Sequence, residues 1–261
     1  MSIELEQQHA RAVAARTIEE FGIDAPEHIR LDDLAWALGA EIVIGDLEGA
    51  AARLTRNGER AVIRVSTRID NEGHRRFSVA HELGHLVLKH PGDHVVLCAE
   101  GDLHDFGGKR AVREAAANAF AAELLMPAAL ARKRCEVSPV HFNLVRGLAV
   151  DFTTSLTAAA IRFVHLTSER CALVYSEDGF RRWLVRSENF WPYLDIGEAL
   201  SPSSLAYDYF KKGQLPDRCE TIDADAWSTA AAERGLEEIR EHSVALPSLH
   251  AVLSLLWIPE R

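Results

Sequence analysis

Apolar side chains recur at helical spacing over residues 4–21, where Leu5, Val13, Ile18 and Phe21 precede Gly22, and again over LDDLAWAL at 31–38, before Gly39. Two helices therefore open the chain. The pattern then changes to β-rich runs at 41–44 and 61–65, separated by the turn-prone Asn57-Gly58, which predicts a small antiparallel sheet. Helical spacing returns at 77–90 (FSVAHELGHLVLKH), where Val79, Leu83, Leu86 and Val87 form a stripe that Pro91-Gly92 ends. It returns again at 111–126 (AVREAAANAFAAELLM), stopped by Pro127. Leu144, Leu148, Phe152, Leu156 and Ile161 predict short helices between 128 and 170. From Cys171 the chain reads as β: CALVYS, a Glu177-Asp178-Gly179 turn and FRRWLVR signal a hairpin. A helix at 204–212 ends at Gly213, and two strands flank Pro247. The fold class is α+β.

Composition narrows the functions. The 261 residues are 48% hydrophobic and 26% charged, a globular composition long enough for one large domain or two smaller ones. A net charge of −10 disfavours a protein whose main role is gripping phosphate backbones. Residues 128–170 are locally basic, with Arg132, Lys133, Arg134, Arg146, Arg162 and Arg170 against three acids, but helix packing accounts for this segment better than DNA binding. Cys98, Cys135, Cys171 and Cys219 include no C-x-x-C pair and read as free thiols. The opening MSIELEQQHARAV lacks the basic patch and apolar stretch of a signal peptide. The longest apolar run near the end, 251–258, is far short of the roughly 20 residues that span a bilayer. The expectation is a reduced, cytoplasmic setting without a membrane partner.

The chemistry lies in the 77–90 helix. His81 and His85 are four residues apart, so their side chains differ by about 40° in azimuth and about 6 Å along the axis, close enough to share one ion. Glu82 is turned about 100° from His81, beside that ion without aiming at it. This is H-E-x-x-H: two imidazoles bind zinc and the glutamate takes a proton from the water the metal activates. A catalytic zinc needs a third protein ligand. The longer pattern H-E-x-x-H-x-x-G-x-x-H is excluded, since Leu88 and Pro91 stand where its glycine and histidine belong. A glutamate on the 111–126 helix is the other solution. Glu114 and Asn118 share one face, so Glu114 can coordinate while Asn118 bonds a histidine ring from behind. Glu123 lies about 180° around the same helix, so only one of the two can face the metal. The alanines around Glu114 and Asn118 either let helices approach closely or serve only as strong helix formers. His90, turned away from the His81/His85 face, and His94, Asp102, His104 and Asp105, in a loop at 91–109, read as surface residues. His74, Arg75 and Arg76, nearby in sequence, read as surface or structural residues.

RFSVAHELGHLVLKH (76–90) followed by EAAANAFAAELLMP (114–127) closely resembles the ImmA/IrrE family of zinc metallopeptidases, and LDDLAWALGAEIVIGDLEGAAARL (31–54) resembles that family's upstream helix, strand and glycine turn. The resemblance covers residues 1–130. It implies a zincin-like, gluzincin-like endopeptidase domain with His81, His85 and Glu114 as zinc ligands, Mn²⁺ as a substitute metal, and Glu82 as the base. It further implies a helix-turn-helix-like segment at 131–168 and, less specifically, a sensor-like (GAF-like) α+β domain at 169–261. Trp183, Trp191, Tyr193, Tyr207 and Tyr209 in that domain read as core more than as a pocket. Members of the family cleave a transcriptional repressor of the XRE helix-turn-helix class and so turn on stress-response or mobile-element genes. The expected partner is therefore a protein substrate of that kind, with direct DNA binding disfavoured. The alternatives are a zinc-containing regulator without activity and a toxin-antitoxin-like interaction partner.

Overall fold

Helix α1 (Ile3–Glu20) starts where the Ser2 side chain accepts the Leu5 N–H and stops at Gly22, whose φ of +63° lets the chain reverse. The computed structural model describes residues 2–57, 60–90 and 108–259. The buried face of α1 is Ala10, Ala14, Thr17 and Ile18, whereas Leu5 and Phe21 of the predicted stripe are exposed. The reason is its neighbour: α1 lies along the alanine-rich α4 (Gly108–Leu125), where small side chains allow two backbones to come together.

Helix α2 (Leu31–Ala37) turns at Gly39 into β1 (Ala40–Gly45), followed by β2 (Ala52–Asn57) and β3 (Arg60–Ser66) in the order β1-β3-β2. The sheet corrects the antiparallel expectation for 41–44 and 61–65. β1 and β3 run parallel, and β3 pairs antiparallel with β2, from Ala52↔Val65 to Asn57↔Arg60. β2 reads ARLTRN, too polar to announce itself, which an edge strand tolerates. Central β3 buries Ile63 and Val65 completely.

Helix α3 (Glu72–Val87) begins five residues before the expected start at Phe77, because Asn71 Oδ1 accepts the His74 N–H at 2.9 Å and caps a polar first turn. It packs on α4. At Gly84 a Cβ would stand 3.2 Å from the backbone of Ala117, tighter than side chains ordinarily pack, so the missing side chain sets how closely these two helices approach. Helices α5 (Ala128–Cys135), α6 (Phe142–Asp151) and α7 (Leu156–Leu166) follow, with α6 and α7 bent by 109°.

By its contacts the chain divides into two units, Met1–Leu130 with Ala149–Ser155, and Ala131–Leu148 with Leu156–Arg261. The second is built on an antiparallel sheet of order β5-β4-β8-β7-β6, comprising β4 (Arg170–Glu177), β5 (Phe180–Arg186), β6 (Glu220–Asp223), β7 (Glu238–Leu246) and β8 (Ala251–Ile258). The β4–β5 hairpin turns at Asp178 and Gly179, both at positive φ, as its sequence predicts. Every residue of the central β8 is buried, which is why it reads as one apolar run. Helices α8 (Leu205–Lys212), closed by Gly213 in the left-handed region, and α9 (Thr229–Glu233) complete the unit. Fully buried Glu241 accepts the Leu205 and Ala206 N–H groups at the start of α8, the Trp227 indole N–H and the Ser243 hydroxyl, so its burial is offset by hydrogen bonds. Trp183 stacks on Tyr175, Tyr207 and Tyr209 pack against the core, and Trp191 and Tyr193 are exposed. Cys135, Cys171 and Cys219 are free thiols. Among the described residues no single helix is long and apolar enough to cross a membrane.

Candidate metal centre

One turn of α3 brings the rings of His81 and His85 edge to face, their Nε2 atoms 3.0 Å apart. From α4, Glu114 Oε2 approaches to 3.2 Å from His81 Nε2 and 3.4 Å from His85 Nε2. All three residues are buried, and they are a group of side chains able to hold a metal ion. The spacing has a direct interpretation: a tetrahedral ion with bonds of about 2.0–2.1 Å sets its ligands about 3.3–3.4 Å apart. Three electron-rich atoms converging at that separation repel one another unless a proton or a cation sits among them. Glu114 Oε1 is also buried, without a hydrogen-bond partner among the described residues. The donor set therefore suits a small divalent cation with nitrogen and oxygen ligands.

The surroundings fix these side chains. His81 Nδ1 lies 2.8 Å from Asn118 Oδ1; a carbonyl oxygen only accepts, so this ring carries its proton on Nδ1 and keeps the Nε2 lone pair for the cluster. Burial opposes charge on Glu114, yet its hydrogen bonds to His81 and His85 outweigh that and hold the carboxyl well below its usual range.

Glu82, on the same helix, is 1% exposed, and its Oε2 accepts the Leu54 N–H of β2 at 3.0 Å. Burial pushes its pKa up to about 7, against the lowering effects of His81 and of the Leu54 N–H. A carboxyl so poised is suited to take and return a proton near neutral pH. Because the Leu54 N–H points to Glu82 and not to β3, the outer edge of β2 faces this carboxylate. Nothing in the sequence announced that contact, which joins residues 28 apart.

The rivals separate cleanly. Glu123 accepts the Ala128 N–H at 2.8 Å and so holds the start of α5, away from the cluster. Arg75 donates to the Ile69 carbonyl and Arg76 to that of Ile29. His90 corrects the surface reading: it is half-buried, with Nδ1 2.9 Å from His85 Nδ1. An ideal helix continued to residue 90 would turn it away from His85, whereas α3 ends before it. His94, Cys98, Asp102, His104 and Asp105 lie outside the described residues.

The model of a peptidase family described as the IrrE N-terminal-like domain matches residues 36–164, a span that contains every residue of the cluster. Among solved structures, the chain is similar in fold to a Mycobacterium tuberculosis transcriptional regulator, with a TM-score of 0.57 and 15% identity over 95% of this chain and 87% of that one. No curated protein matches the sequence.

Proposed function

We propose, from the match of residues 36–164 to an IrrE N-terminal-like peptidase domain, that the chain is a zinc-dependent endopeptidase with one chosen protein substrate, a repressor of the XRE helix-turn-helix class. The observation that carries the reading is the convergence of His81, His85 and Glu114 beside the buried carboxyl of Glu82. His81 Nε2, His85 Nε2 and Glu114 would hold the ion. Bound there, zinc would supply Lewis acidity toward water and the scissile carbonyl. Glu82 takes the proton of the attacking water on its carboxylate and returns it to the leaving amine. The outer edge of β2 receives the substrate as an added strand, main chain to main chain, which sets the scissile bond beside Glu82.

A reading without catalysis draws on the structural relative, which is a transcriptional regulator by name. DNA recognition through the bent α6–α7 pair is opposed by the burial of α7, where Ala159, Ala160, Arg162, Phe163, Val164 and Leu166 are all buried and only His165 is exposed. A recognition helix needs an exposed face to enter a groove. The second unit, read as GAF-like, would then regulate the first.

Incubating the purified chain and Zn²⁺ or Mn²⁺ with the repressor encoded beside it tests the proposal. A repressor fragment should accumulate with the parent chain and not with Glu82→Gln, while the variant keeps its zinc. An intact repressor in a stable complex with the zinc-loaded parent would overturn catalysis in favour of the interaction reading.

A further inference from the structure

His81 has a carbonyl oxygen behind its ring, so the position of its proton follows from the chemistry of the partner. His85 does not. Behind its Nδ1 stands another imidazole nitrogen, His90 Nδ1 at 2.9 Å, which is able to accept or to donate. Which nitrogen of His85 turns a lone pair to the cluster is thus decided by His90.

The backbone goes to some length to place that ring. After the C-cap Leu88, Lys89 takes φ +55°, a left-handed conformation more often given to glycine. The Lys89 N–H returns to the Leu86 carbonyl and the His90 N–H to the His85 carbonyl, at 3.1 and 3.0 Å. This double closure folds residue 90 back beneath the residue it serves. From the sheet side, Arg56 Nη2 holds the His90 carbonyl at 3.1 Å. The His90 ring packs edge to face on that of His85, centroids 5.0 Å apart. Residue 90 is thereby held at its N–H, its carbonyl and its ring.

We propose that His90 is a positioning residue for the metal centre: its Nδ1 accepts the Nδ1–H of His85 and thereby commits the His85 Nε2 lone pair to the ion. The inference rests on reading His81, His85 and Glu114 as metal ligands. It assigns His85 the same kind of support from behind that Asn118 gives His81, drawn from the end of α3 itself and not from α4.

The test uses the full chain. His90→Phe keeps a ring and removes the acceptor, whereas His90→Asn puts Oδ1 close to where Nδ1 stood. Competition against a chromophoric zinc chelator reads affinity, and ¹⁵N shifts of labelled histidines in the zinc-loaded parent read which His85 nitrogen carries the proton. His90→Phe should bind zinc about 10–100-fold more weakly, and His90→Asn should recover most of that loss. In the parent, His85 should be protonated at Nδ1. Parent-like affinity in His90→Phe, or His85 unprotonated at Nδ1, overturns the inference while leaving the metal centre intact. Failure of the parent to bind zinc any better than Glu114→Ala removes the metal centre itself.

Discussion

Asn118 Oδ1 and His81 Nδ1, 2.8 Å apart, join the two helices that carry the candidate ligands. The bond fixes a ring, but it also fixes a distance: α4 must sit close enough for Asn118 to reach His81 and for Glu114, one turn earlier, to reach both histidines. Asn118→Ala should therefore weaken zinc binding about 10–100-fold with little change in fold, and Asn118→Asp, which keeps an acceptor, should retain most of it. Chelator competition measures this; equal affinity for Asn118→Ala and the parent refutes it.

The two buried glutamates of α4 should behave oppositely. Glu114→Ala removes the carboxylate that meets both histidines and should lower bound zinc to a small fraction of the parent's, measured by elemental analysis after gel filtration. Glu123→Ala should keep the metal and cost about 1 kcal/mol of stability, the usual loss for a helix cap, because the Ala128 N–H loses its acceptor. Metal loss in Glu123→Ala alone would mean that the third ligand is misassigned.

Gly84→Val tests the helix spacing. Even a Cβ meets the Ala117 backbone and the Phe120 ring at 3.2 Å, and valine adds two further methyl groups to that contact. Overpacking of this kind costs typically about 1–3 kcal/mol. Here it should also separate Glu114 from the histidines, so thermal stability and zinc affinity should fall together. A stable Gly84→Val protein with unchanged affinity would show that the spacing is not critical.

His242 should give the second unit a pH-dependent stability. Its Nδ1 accepts the Phe142 N–H at the start of α6, and burial, aided by Arg146 and His141, pushes its pKa down to about 4 from an ordinary value near 6.5. The unfolded chain takes up this proton near pH 6.5 and the folded chain only near pH 4. The stability from a neutral His242 is therefore fully present above about pH 6.5 and is lost as pH falls towards 4, by at most about 3 kcal/mol. His242→Asn keeps an acceptor and cannot titrate, so its melting temperature should fall less steeply across that range. Parallel curves for the two proteins would exclude His242 as the source.

Legibility followed the range of the interaction. The two ligand helices, the β4–β5 hairpin and the end of α8 at Gly213 were readable because periodicity, turn residues and caps act within a few positions. β2 was missed because an edge strand needs no apolar alternation, and with it went the parallel pairing of β1 and β3. The buried face of α1 was misread because Ala10 and Ala14 carry no signal until an alanine-rich partner faces them. His90 was misplaced because a left-handed Lys89 is invisible in a residue type that seldom adopts it.

The sequence by itself determined the pair of imidazoles, their neighbouring carboxyl and a short choice of third ligands, since helix geometry converts a spacing of four into a shared face. Only the tertiary structure decided that Glu114 meets the histidines while Glu123 closes a helix end, that Leu54 faces Glu82, and that His90 stands behind His85. Those relations depend on where separate segments come to rest. That is set by the packing of the whole core, including the close approach of Gly84 to Ala117, and by no local pattern.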